Sequence, residues 1–195
     1  MFLSPFRILA WFLALVVIGV PAAAVGLFFL AIAGSPGECD SNGREIVADF
    51  AGAASFQQKW DDMNNALDAG QPSSATFTES EATSRARLWV EEHDAPVSDL
   101  RLCFNAGGGS GSAKIDIPFV PGDVDVLVAG TLDLTGEKPE AEITDVEMGR
   151  LPGPVASRIE DFITRLIDHE TDDITLKHDY GLQFTDGEVT ITGQP

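Results

Sequence analysis

The sequence predicts an α+β protein in which an N-terminal transmembrane helix precedes a long, strongly curved antiparallel sheet wrapped around an amphipathic helix. Three observations predict this fold. The chain opens with an uncharged apolar run, alternating apolar and polar residues recur beyond Pro96, and one strongly amphipathic helical pattern interrupts that alternation. Strands with one apolar face are typical of antiparallel sheets, which bury that face against another layer.

The apolar run extends from Ile8 to Ala33. About 20 apolar residues are enough to cross a bilayer as a helix, so we expect a retained signal-anchor over residues 8–33. The alternative is a cleaved signal peptide, because Ala31-Ile32-Ala33 resembles a small-residue cleavage site, although the apolar core of a signal peptide is typically about 7 to 15 residues. Arg7 and the short N-terminal flank favour a cytoplasmic N-terminus and an extracytoplasmic C-terminal domain at the cell membrane.

Composition predicts one acidic domain after the anchor. We expect an anchor with its flank over residues 1–34, a linker and juxtamembrane helix over 35–75, and the α+β domain over 76–195. The chain has 31 Asp and Glu against 12 Lys and Arg, a formal net charge of −19. A strongly negative surface repels nucleic acid, so we do not expect this protein to bind nucleic acid.

Both cysteines, Cys39 and Cys103, follow the apolar run. In an oxidising compartment, exactly two thiols are expected to form a disulfide. It would hold the juxtamembrane segment on the domain. The alternative is two separate thiols, with Cys103 buried in a strand.

Two helices are predicted before the strands. Apolar residues spaced three or four apart predict a helix from Ile46 to Leu67, which ends at Gly70-Gln71-Pro72. Thr78 and Glu81 fit a capping box at the start of a second helix that runs to about Glu92.

Four strands are then expected between Leu100 and Met148, and the glycine-rich residues 107–111 read as a hairpin-like loop between the first two. The apolar residues switch from odd-numbered to even-numbered positions between Ile143 and Val146, which predicts a β-bulge. An amphipathic helix follows over 155–167, and Asp186-Gly187 predicts a hairpin between two final strands.

Catalytic patterns are missing from the sequence, and we expect neither an enzyme nor a cofactor. His93, His169 and His178 share no metal-ligand spacing, and no serine lies in a Gly-x-Ser-x-Gly setting. The acidic run 168–173 lacks the alternating ligands and central glycine of an EF-hand loop. Alternation with valines makes Asp123 and Asp125 a solvent-facing pair.

The remaining candidate site is apolar. One face of the sheet and the apolar stripe of the 155–167 helix can enclose either an ordinary packed core or a lipid-sized groove. The predicted lining residues are Leu102, Phe104, Ile115, Ile117, Val124, Val126, Val128, Leu132, Ile143, Met148, Ile159, Phe162, Ile163 and Leu166. The 155–167 helix and the 107–111 loop are the candidate lid and mouth.

Several segments resemble a known family. These are Thr78-Glu79-Ser80-Glu81 entering a helix, the alternating run to Leu134, the residues 146–152 before the amphipathic helix, and the closing residues 186–193. They resemble the small bacterial membrane-anchored domains related to the tubular lipid-binding (TULIP) superfamily. The resemblance implies a bent sheet rolled around a helix with acyl chains in the hollow, and it carries over no catalytic residue.

The expected function is therefore a membrane-anchored extracytoplasmic module that binds or presents lipid or acyl chains. The alternative is a non-enzymatic structural or adaptor domain of a cell-envelope assembly with a fully packed core. Its partners would be the membrane through residues 8–33, a lipid ligand, and in the alternative an envelope protein.

Overall fold

A computed structural model describes residues 36–116, 122–136, 138–148 and 176–195. In chain order, its elements are α1 (Phe50–Asp68), β1 (Ser73–Thr78), α2 (Glu79–Glu92), β2 (Val97–Asn105), β3 (Gly108–Asp116), β4 (Asp123–Asp133), β5 (Glu140–Met148), β6 (Asp179–Thr185) and β7 (Glu188–Gln194). The apolar run 8–33 and the amphipathic pattern 155–167 lie outside the described residues. Among the residues that are described, no helix is long and apolar enough to cross a membrane.

The strands form two antiparallel sheets. Strands β1, β7 and β6 make a three-stranded sheet in the order β1-β7-β6, and β2 to β5 make a four-stranded meander in sequence order. The α+β class with antiparallel sheets is confirmed. The single long sheet that the sequence predicted is divided in two within the described ranges, and neither sheet closes on itself there.

Helix α1 begins four residues later than predicted. Asp49 has an extended backbone and its carboxylate accepts a hydrogen bond from the Gly52 amide at 2.7 Å, which makes it the N-cap. Residues 46–49 instead run along α2, where the Val47 and Asp49 amides donate to Ser80 and Ser84 hydroxyls at 3.1 Å each. These bonds compete with a helical start at Ile46.

Strand β1 is absent from the sequence prediction, which continued from the end of α1 directly to α2. Ser73–Thr78 pairs with β7 along its whole length, from Ser73 opposite Gly193 to Thr78 opposite Glu188. The capping box that follows it is confirmed. The Thr78 hydroxyl accepts from the Glu81 amide at 3.2 Å, and the Glu81 carboxylate accepts from the Thr78 amide at 3.0 Å.

The predicted hairpin between β2 and β3 is present, but the predicted loop over residues 107–111 is wrong in its extent, because four of these five residues belong to β3. Only Ala106 and Gly107 form the turn, and β3 begins at Gly108. Residues Gly108 to Gly111 pair with β2 on one side, and Gly109 to Gly111 pair with β4 on the other. Hydrogen bonding on both edges overrides the turn preference of glycine.

The main core lies between α1 and the three-stranded sheet. It contains Met63, Leu67, Phe77, Ala82, Phe104, Leu134, Tyr180, Val189 and Ile191. Phe56 packs against Phe77 with ring centroids 4.3 Å apart, and Trp60 stacks on Tyr180 at 5.3 Å. Phe104 belongs to β2, so this core also reaches the four-stranded sheet.

Helix α2 covers the outer edge of β2. Glu79, Thr83 and Arg87 are spaced four residues apart and therefore share one helical face. Glu79 accepts from the Phe104 amide at 2.8 Å, and Thr83 accepts from the Leu102 amide at 3.0 Å. The Arg87 Nε donates to the carbonyl two residues earlier in β2, that of Leu100, at 2.7 Å.

This pairing works because four helical residues rise about 6 Å and two strand residues about 6.7 Å, so the two repeats match. The edge of β2 is satisfied without another strand, which protects it from pairing with a second chain.

Candidate functional site

The apolar face of the four-stranded sheet is the candidate site, and strand register defines it. Residues directly opposite each other in an antiparallel pair project to the same face. Val126 lies opposite Met148, Gly130 lies opposite Ile143, and Val124 lies opposite Ile115. Register through β3 adds Leu102 and Phe104 to that face, because they oppose Gly111 and Gly109.

All predicted lining residues that the structure describes therefore share this face. They are Leu102, Phe104, Ile115, Val124, Val126, Val128, Leu132, Ile143 and Met148. The others lie outside the described residues: Ile117, Ile159, Phe162, Ile163 and Leu166. Their role in a groove stays a prediction.

A bulge keeps the face apolar along β5. Ala129 opposes Asp145 while the next residue, Gly130, opposes Ile143, so Thr144 is the extra residue. The bulge predicted between Ile143 and Val146 is confirmed. It restores the alternation, so that Val146 joins Ile143 on the apolar side.

Three glycines flatten part of this face. A side chain at Gly111 would meet Leu102 at 3.2 Å, and one at Gly109 would meet Phe184 and Phe104 at 3.6 and 3.7 Å. A Cβ at Gly130 would lie 2.5 Å from the Glu142 carbonyl oxygen. The glycines thus let larger side chains lie across the strands and let β4 and β5 approach at the bulge.

Burial varies along the face. Ile115, Val124 and Val126 are 6 %, 2 % and 3 % exposed, whereas Leu132 is 38 % exposed. At the Leu102 end, Phe104 is covered by Phe184 of β6, with ring centroids 5.8 Å apart. The face therefore combines buried positions on β2, β3 and β4 with half-buried positions on β4 and β5, and Leu132 is exposed at the far end of β4.

The opposite face is acidic. Register places Asp123, Asp125 and Asp133 of β4 on it, and β5 adds Glu140, Glu142, Asp145 and Glu147, all four exposed. Asp133 is held by the Thr135 amide and hydroxyl at 2.8 and 2.7 Å, and these bonds lower the pKa of its carboxyl. At β5 the sheet is consequently two-sided, with an apolar face and an acidic face exposed to water.

The predicted Cys39–Cys103 disulfide is confirmed. The two Cα atoms are 5.9 Å apart, and Cys103 is completely buried on the acidic side of β2. One residue earlier, Glu38 pairs with Arg101 at 2.5 Å. The segment that follows the apolar run is thereby fixed along β2.

The other end of this segment is fixed by Arg44. Its guanidinium binds the Glu79 carboxylate through two nitrogens, at 3.0 and 2.9 Å, and also donates to the Phe104 carbonyl at 3.3 Å. The hydrogen bond with Glu79 raises the pKa of Arg44 against a smaller opposing effect of burial. Gly187, in the hairpin turn between β6 and β7, joins the cluster because its amide donates to the Phe104 carbonyl at 3.1 Å.

A cleft of about 160 Å³ lies where the segment meets the sheet. Pro36 and Glu38 line one side, and Asp99, Arg101 and Lys114 line the other. Lys114 donates to Asp99 at 2.6 Å, which lowers the pKa of Asp99 and raises that of Lys114. Two ion pairs, Glu38–Arg101 and Asp99–Lys114, therefore border this cleft.

Groups capable of catalysis do not converge in the described part of the chain. The His93 ring hydrogen-bonds the Trp89 carbonyl and stacks on the Trp89 ring, and His178 pairs with Asp68 at 3.0 Å. The described residues contain no group of three or more histidine, cysteine or acidic side chains that could hold a metal. Tyr180 hydrogen-bonds Asn64, and burial raises the pKa of its hydroxyl.

Sequence reasoning missed some members of the apolar face. Val97 opposes Ile115, and Val146 opposes Val128. Val146 could have been found by applying the predicted bulge to β5. Phe184 could not, since its contact with Phe104 depends on how the two sheets meet.

No protein-family model matches this chain, and no curated protein or solved structure is significantly similar to it.

Proposed function

We propose that this protein is a membrane-anchored extracytoplasmic module that binds or presents lipid acyl chains against the apolar face of β2–β5. In this proposal residues 8–33 cross the bilayer. The fold is of the TULIP type, with the sheet bent around the helix predicted at 155–167.

The observation that carries the proposal is the continuous one-sided apolar face. A bulge at Thr144 and glycines at positions 109, 111 and 130 preserve that face across four strands. Half-buried Val128, Ile143 and Met148 can gain contacts with an acyl chain, and each buried methylene contributes about 0.8 kcal/mol.

The segment 36–44 that follows the apolar run, called here the tether, supports the same proposal. Pro36 follows Ala33 by three positions, which is at most about 10 Å of chain. Beyond that point the disulfide at Cys39 holds the segment on β2. A domain held this close to a bilayer has access to lipid without diffusing through water.

Photo-crosslinking tests the proposal. The full chain is placed in nanodiscs that contain a phospholipid with a photoactivatable acyl chain, and adducts are mapped by peptide mass spectrometry. We expect adducts on β4 and β5 that are lost in Val128→Trp, which fills the face, and kept in Leu127→Trp. Leu127 is the matched control because it is also half-buried but projects to the opposite face. Adducts confined to residues 8–33 would refute lipid binding by the domain.

Burial of Ile115, Val124 and Val126 favours a second function, a structural or adaptor domain of an envelope assembly with a packed interior. In that case Val128→Trp would destabilise the fold by overpacking, which typically costs about 1–3 kcal/mol. The adaptor function then predicts a lower unfolding midpoint for Val128→Trp together with no domain adducts in the wild type.

A further inference from the structure

The surface around Phe50 is unusually apolar for so acidic a domain. Phe50 exposes 79 % of its surface and Val47 exposes 51 %. Leu132, on the four-stranded sheet, is the next most exposed large apolar side chain among the described residues, at 38 %. Isolated exposed apolar residues are common, but adjacent ones that border a cavity mark interaction sites.

A cleft of about 220 Å³ lies beside Phe50, between the start of α1 and the middle of α2. Its apolar wall consists of Ala48, Ala53 and Leu88. Its polar rim contains Asp49, Arg87 and Glu91. Phe50 and the apolar wall of the cleft together form one apolar patch, called here the Phe50 patch (Ala48, Phe50, Ala53 and Leu88).

The Phe50 patch is connected through α2 and β2 to the residues that follow the apolar run. Arg87, on the rim of the patch, donates to the carbonyl of Leu100. The preceding residue, Asp99, lines the cleft that also contains Pro36. Pro36 follows Ala33 by three residues, so the end of the apolar run is within about 10 Å of Pro36.

We propose that the Phe50 patch inserts into the interfacial region of a bilayer next to the anchor; this inference rests on the proposed membrane attachment through residues 8–33. Exposed apolar side chains beside a membrane-spanning segment bury themselves at the headgroup boundary, to a depth of about 5–10 Å. The occupant is a neutral or zwitterionic lipid surface, because the carboxylates of Asp49 and Glu91 on the rim repel anionic headgroups.

The test places a fluorescent reporter at this position in the full chain. Phe50→Trp and the control Thr131→Trp are reconstituted in phosphatidylcholine nanodiscs, with and without brominated acyl chains. Thr131 lies opposite Glu142 on the acidic side of β4, away from the proposed acyl-chain site. The signal of the wild type, which contains Trp11, Trp60 and Trp89, is subtracted. Both substituted positions are exposed, so both variants are expected to fold, and far-UV circular dichroism checks this.

We expect a blue shift and loss of emission through bromine quenching for Phe50→Trp, and neither change for Thr131→Trp. Adding phosphatidylglycerol should reduce the quenching, and added salt should restore it, because salt screens the repulsion. Unshifted, unquenched emission from Phe50→Trp in discs that retain the chain would overturn this inference alone. Failure of the wild type to be retained in discs would instead refute the membrane attachment.

Discussion

We expect the ion pair between Arg44 and Glu79 to contribute more to stability than any other ion pair among the described residues. Glu79 is 3 % exposed, and its carboxylate accepts from two Arg44 nitrogens and from the Phe104 amide. Glu79→Ala removes the acceptor and leaves the Phe104 amide buried without that partner. An unsatisfied buried group costs about 1–3 kcal/mol, and breaking a buried pair about 3–5 kcal/mol.

Arg44 is 32 % exposed in its side chain and can turn to water, so the lower end of this range applies. We expect Glu79→Ala to lower the free energy of unfolding by about 3 kcal/mol, or roughly 6–12 °C in melting temperature for a chain of this size. Glu79→Gln keeps an acceptor for the Phe104 amide and should cost about half as much.

The assay is urea unfolding of the full chain in a mild detergent, followed by far-UV circular dichroism. Glu38→Ala is the control, because its pair with Arg101 is exposed on both sides and should contribute at most about 1 kcal/mol. Equal losses for Glu79→Ala and Glu38→Ala would refute the assignment of Glu79 as the group that joins the tether, α2 and β2.

Further changes have equally specific outcomes. Replacing Cys39 and Cys103 with alanine opens a loop of 64 residues and should cost about 4 kcal/mol in the chain-entropy model; an unchanged urea midpoint would contradict this. Gly130→Ala should lower the free energy of unfolding by about 1–3 kcal/mol, because the added Cβ would lie 2.5 Å from a backbone oxygen. Gly181→Ala is the control, because its nearest atom is 3.9 Å away, and its effect should stay within about 0.5 kcal/mol. Similar melting temperatures for both variants would argue against the close approach of β4 and β5 at the bulge. Burial raises the pKa of Glu81, but hydrogen bonds from Lys59, Ser55 and the Thr78 amide outweigh it and hold that pKa below the ordinary 4.5. Its stabilising contribution is therefore present above pH 4.5 and lost as the pH falls through the folded-state pKa, so the stability difference between wild type and Glu81→Gln should shrink on acidification; a constant difference would refute the shift.

Local signals were read correctly from the sequence. The capping box at Thr78 and Glu81 needs only residues three apart, and the Asp186-Gly187 turn joins strands that are adjacent in the chain. The bulge in β5 is predicted by the change in apolar alternation between Ile143 and Val146. Each of these features is determined by neighbouring residues, which is why the sequence predicts it.

Long-range pairing was not predictable in the same way. Strand β1 is mostly serine and threonine and has little apolar alternation, and Thr76 finds its partner Thr190 only 114 residues later. The glycines of β3 look like a loop until both neighbouring strands are known. Similarly, the apolar residues on the β2–β5 face could be identified from alternation, but the contact of Phe184 with Phe104 depends on how the two sheets meet.

Native mass spectrometry of the full chain, released from nanodiscs under conditions that preserve the fold, tests the central claim most directly. If the domain holds acyl chains on the β2–β5 face, wild type and Leu127→Trp should retain lipid after the anchor has been stripped of its surrounding bilayer, and Val128→Trp should retain less. A wild-type chain that carries no lipid under those conditions, or equal retention in Val128→Trp and Leu127→Trp, would contradict the proposed function.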